Sequence, residues 1–158
     1  MNNPLKPFIK IILVGLIAGA VSEALLGTLF MMPFTQSILY NPGVQSQLYI
    51  NITPTRNLPL SVGGLVVLSI IHAWLFTVLM HAIPGGTWVK KGLFWGVVIW
   101  LMYWVFQEWW IYHTLLLEPL ILNLLELVLL LLGSLVEGLI IAFGFKKELS
   151  GNRYNITN

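Results

Sequence analysis

The sequence predicts an all-α integral membrane protein, a bundle of four transmembrane helices, and three observations carry that prediction. Of 158 residues, 58% are hydrophobic and only 9% are charged, against roughly 25% charged in soluble domains. Four apolar stretches are each long enough to cross a bilayer, which takes about 20 residues at 1.5 Å per residue. Seven of the eight basic residues fall in segments that a four-span topology places on one side.

The first span is expected at about 11–32, where Pro33 halts it. Its approach, Lys6 and Lys10 followed by IILVGLI and Ala18-Gly19-Ala20, has the outline of a secretory leader. The apolar run continues to Met32, so an uncleaved span is expected instead. A long outer loop, 33–59, follows, broken by Pro33, Pro42, Pro54 and Pro59. Within it QLYINIT alternates polar with apolar residues, which predicts a half-buried strand capping the bundle, with Leu48, Ile50 and Ile52 facing down. The second span, about 60–83, is closed by Pro84, Gly85 and Gly86. The third is expected at about 92–113, the fourth at about 121–145 and a tail at 146–158, all within one domain.

Lys6 and Lys10, Lys90 and Lys91, then Lys146, Lys147 and Arg153 share one side; only Arg56 lies in the other loops. The positive-inside rule therefore predicts an inner-membrane protein with both termini cytoplasmic.

The absence of cysteine excludes disulfides, thiolate nucleophiles and Cys-ligated metal. A net charge of +2 gives no reason to expect a nucleic-acid partner. No nucleophile elbow, phosphate loop or HExxH appears, so no catalytic residue, metal or cofactor is predicted.

The informative residues are the acids. There is no aspartate, and Glu23, Glu108, Glu118, Glu126 and Glu137 lie in or beside the spans, with only Glu148 in the tail. A charge at mid-bilayer costs on the order of 2.5 to 3.5 kcal/mol even on the lenient insertion scale, so these carboxyls should face inward. Counting depth along each span predicts a polar ladder of Glu23, His72, Glu108, Glu126 and Glu137, with His113 and Glu118 at the watery outer edge. A Glu-x-x-His metal pair is missing, and Glu108 and His113 should point about 140° apart on an α-helix.

Helical phase also draws stripes of small residues. Gly15, Gly19 and Gly27 flank Glu23 on the first span; Gly133 and Gly144 flank Glu137 on the fourth. Such stripes let membrane helices approach closely, and the simplest expectation packs the two together, or each against a partner copy. Trp100, Tyr103 and Trp104 on the third span offer a flat wall for a lipid or quinone tail.

The expected function is therefore a small polytopic membrane protein, non-enzymatic, acting through helix contacts as a subunit or accessory factor, either as a homo-oligomer or with a partner membrane protein. Proton-linked transport along the Glu/His ladder is the alternative. A membrane enzyme or binder of a lipid or quinone is third.

Overall fold

A computed structural model describes residues 5–55 and 57–151; Arg56 and Arg153, counted above among the basic residues, lie outside them. Four helices are long and apolar enough to cross a membrane: α1 (Leu5–Met31), α4 (Leu58–Leu79), α5 (Trp88–Leu115) and α6 (Leu120–Gly144). Short helices α2 (Pro33–Leu39) and α3 (Gln47–Ile52) fill the segment between α1 and α4, and α7 (Lys146–Gly151) follows α6. All described lysines lie at one end of the molecule, the lysine end; α2 and α3 mark the other, the loop end.

The segment QLYINIT is a helix rather than the expected strand, and the described residues contain no strand. Ser46 caps it, its hydroxyl accepting from the Leu48 amide at 3.2 Å. An alternating pattern only seven residues long fits either period, and here a side-chain cap decides. The correction changes what faces inward: Tyr49 is buried, while Leu48 and Ile52 are exposed.

The long helices pack in the order α4, α1, α6, α5, with α6 the most buried. Backbones approach most closely between α5 and α6, where a Cβ on Gly96 would sit 2.7 Å from Leu135 Cα and one on Gly92 would sit 3.0 Å from Leu139 Cα. Gly138 answers them from α6, facing the Gly92 and Gly96 backbones. The two stripes expected to meet instead have separate neighbours. Gly15 and Gly19 lie against Ile70 and Ser69 of α4, whereas Gly133 receives the Leu26 side chain and Gly144 the Val14 side chain of α1. Gly27 has no neighbour: a Cβ there would meet nothing within 4 Å.

The two ends of the bundle are built differently. At the lysine end Ala18, Ala73, Phe76, Trp95, Ile141 and Phe145 form a continuous apolar core. Phe76 stacks on Trp95 (5.9 Å between centroids) and on Phe145 (6.2 Å), which ties α4 to α5 and α6. Lys91 Nζ closes the end of α4 by donating to the carbonyls of Met80 (2.5 Å) and Ile83 (2.6 Å), groups that a helix leaves without partners at its C-terminus. At the loop end α4 stands apart: no residue from 58 to 68 is buried, and the first that is buried is Ser69.

Candidate functional site

The splay of α4 leaves a cleft of about 260 Å³ at the loop end, lined by Glu23 from α1, Leu65 from α4, Trp104 and Glu108 from α5, Glu126 from α6 and Tyr49 from α3. The acids of the chain are divided between this cleft and a second centre deeper toward the lysine end, rather than strung along one ladder.

The cleft centre is an acid cluster. One carboxylate oxygen from each of Glu108, Glu118 and Glu126 lies within 4.8 Å of the other two, and all three residues are buried. Asn123 Nδ2 donates to the Glu108 carbonyl at 2.8 Å and to Glu108 Oε2 at 3.2 Å. Gln45 Nε2 donates to Glu118 Oε1 at 2.5 Å, and Tyr49 Oη donates to Glu126 Oε1 at 3.2 Å.

The outer elements orient the cluster. Burial, reinforced by the neighbouring Glu126 carboxyl, pushes the Tyr49 hydroxyl well above its usual range, so it remains a donor. Its ring is held by Tyr40 and by an edge contact with Tyr112 at 5.5 Å. Burial also pushes the Glu118 carboxyl up, opposed by the hydrogen bonds from Gln45 and Asn123.

Two backbone features bring Glu118 and Glu108 inside, and neither follows from α-helical counting. The C-terminal part of α5 is wound as a π-helix over Trp100–Trp104 and Gln107–Leu115, with Leu116 N bonding to Ile111 O at 2.9 Å. In that winding residues five apart stack, so Glu108 and His113 come to the same side, in place of the expected 140° separation. Glu108 then meets the Glu118 carboxyl, and His113 Nδ1 donates to the Glu118 carbonyl at 2.8 Å. Next, Leu117 takes φ 56°, a left-handed turn that folds the chain back and turns Glu118 into the bundle, where it is 1% exposed. Glu118 is therefore a core member of the site and not an edge residue.

The deeper centre is a pair. His72 Nδ1 of α4 lies 2.9 Å from Glu137 Oε1 of α6, both buried, one helical turn from Phe76 and Ile141 of the apolar core. Glu23 stands between the two centres. It lines the cleft and also a groove of about 360 Å³ between α1 and α4 that runs to Ser69, one turn before His72.

Of the three residues expected to form a flat wall, Trp104 lines the cleft and stacks edge-on with Tyr103 at 4.5 Å. Trp100 turns toward α6 and donates its indole N–H to the Leu127 carbonyl at 2.8 Å. Residues that the sequence reading left out of the site are Gln45, Tyr49 and Asn123. Asn123 carried a visible signal: it is a polar amide inside an apolar run, one turn before Glu126. No protein-family model, curated protein or solved structure matches the chain.

Proposed function

We propose that this chain is a multi-pass inner-membrane protein that passes protons across the bilayer, with the lysine end in the cytoplasm and the cleft open to the outside. The observation that carries the reading is the buried His72–Glu137 pair, one helical turn beyond Ser69 at the end of the groove that shares Glu23 with the cleft, and backed by an aromatic plug. A carboxyl and an imidazole 2.9 Å apart can hold one proton on either partner without gaining net charge, which is how a membrane interior tolerates a titratable site. Glu23 supplies the intermediate stop between the cleft and the pair. Phe76, stacked on Trp95 and Phe145, closes the way to the lysine end. The helix that carries both His72 and Phe76 is α4, the least buried of the four long helices, and its movement against α1 and α6 would present the pair to the other side.

The test is proton flux into liposomes that contain the purified chain and a trapped pH dye, under an imposed pH gradient. Glu137→Gln removes the exchangeable proton while keeping size and hydrogen bonding, and flux is expected to fall to that of protein-free liposomes. Unchanged flux in a folded Glu137→Gln protein would remove the reading.

A second reading, a subunit acting through helix contacts, is favoured by one observation. A Cβ on Gly63 or Gly64 would meet nothing within 4 Å, and Val62 and Val67 beside them are exposed. Small residues on an unpacked helix face are what membrane helices use to approach one another. Native mass spectrometry in mild detergent separates the readings: a stoichiometric partner or second copy lost in Gly63→Leu favours the subunit, whereas a monomer carrying only lipid removes it.

A further inference from the structure

We infer that Glu108, Glu118, Glu126 and Asn123 form a binding site for a divalent cation with a preference for oxygen ligands, of the calcium or manganese class. This goes beyond the proton-pathway reading and does not depend on it.

Three observations converge. First, three carboxylate oxygens within 4.8 Å of one another can reach a common ion, because ligands 2.3 to 2.6 Å from calcium are separated by at most about 5 Å. Second, two buried oxygens of the cluster accept no hydrogen bond: Glu118 Oε2 and Asn123 Oδ1, on residues 1% and 0% exposed. The Asn123 amide nitrogen bonds the Glu108 carboxylate, so the amide oxygen lies beside the cluster. Buried polar atoms are nearly always satisfied. A cation satisfies both oxygens at once. Third, among the described residues no lysine or arginine approaches the cluster, since all six described lysines are at the lysine end.

The donor set selects the ion. Carboxylate and amide oxygens suit hard cations, and no cysteine is present to favour a softer one. The adjoining cleft, lined by Glu108 and Glu126, gives an entry path and room for the water ligands that complete a coordination shell of six to eight. The hydrogen bonds from Gln45 and Tyr49 orient two of the three carboxylates from outside, the role that outer partners play around metal ligands.

The experiment uses the full chain in detergent, stripped with chelator, and measures Mn²⁺ binding by electron paramagnetic resonance with Ca²⁺ as competitor. One ion per chain is expected, displaced by Ca²⁺, with affinity weakened by about tenfold or more in Glu118→Gln and unchanged in Glu148→Gln. Absence of saturable binding up to about 1 mM, or equal binding in Glu118→Gln, overturns the inference. Should Glu118→Gln not fold, the natural chain decides: Ca²⁺ raises its unfolding temperature and chelator reverses the rise, or the site is refuted. A chain that binds Mn²⁺ but passes no protons keeps this inference and loses the transport reading; the reverse result does the opposite.

Discussion

The lysine end and the loop end of this bundle solve the same problem, burying the surfaces of long apolar helices, with opposite chemistry. The lysine end does it with Phe76, Trp95, Ile141 and Phe145 in mutual contact. The loop end buries Glu108, Glu118, Glu126, Asn123 and Gln45, which need partners for every polar atom. The contrast extends to the ionisable groups: His72 and Glu137 face each other one to one, whereas three carboxyls share the cleft centre with His113 at its edge. An apolar core with a self-compensated pair on its border is a stable floor. A cluster of buried carboxyls beside a cleft is where an added proton or cation has most to gain.

Substitutions sharpen this division. The largest effect is expected at Phe76, which is fully buried between two rings. Phe76→Ala should destabilise the bundle by about 3–5 kcal/mol, read from unfolding by denaturant in micelles; a loss under about 1 kcal/mol would mean that the lysine end does not hold the fold. Asn123→Leu comes next. It strips Glu108 of two donated hydrogen bonds and should cost about 1–3 kcal/mol, with the aromatic core of the other end unaffected in near-ultraviolet dichroism. A paired glycine test has a similar range: Gly15→Ala drives a Cβ to 2.7 Å from Ile70 Cα and should cost about 1–3 kcal/mol. Gly27→Ala, facing open space, should be neutral or stabilising by up to about 1 kcal/mol.

The smallest effect belongs to the surface of the lysine end, where Lys10 Nζ meets Glu148 Oε1 at 2.5 Å. Burial pushes the Glu148 carboxyl up, but the hydrogen bond from Lys10 outweighs it and holds the group below the usual range. A depressed folded-state value gives stability that is present above the ordinary glutamate pKa of about 4.3 and lost as pH falls through the folded value. Both side chains are more than a third exposed, so the pair is worth only about 0.2–1 kcal/mol and should fade in high salt. An effect of Glu148→Gln that survives high salt would contradict this.

How much of this was legible in the sequence depended on length scale. The four long helices were readable because a run of some twenty apolar residues has few alternative structures. The stripes of Gly15 and Gly19 and of Gly133 and Gly144 were readable as contact faces, but not their partners, since a stripe says that a backbone comes close and not which one. Gly92 and Gly96 were missed although their four-residue spacing is the same signal. The site was read least well where the backbone leaves α-helical geometry. The π winding of α5 moved Glu108 and His113 to one side, and the left-handed Leu117 turned Glu118 inward. Angle-per-residue reasoning has no access to either.

The most direct test of the division between the ends is thiol accessibility, which the absence of native cysteine makes clean. Leu65→Cys places a thiol on the cleft, and Ile141→Cys places one in the fully buried core beyond the His72–Glu137 pair. Both are exposed, in sealed vesicles, to a charged thiol reagent that needs water to reach a thiolate. The account predicts rapid labelling of Leu65→Cys from the loop side and none of Ile141→Cys, with Phe76→Ala added to Ile141→Cys opening that position. Equal labelling at both positions, or none at Leu65→Cys, would contradict an open cleft at the loop end and a closed aromatic core at the lysine end.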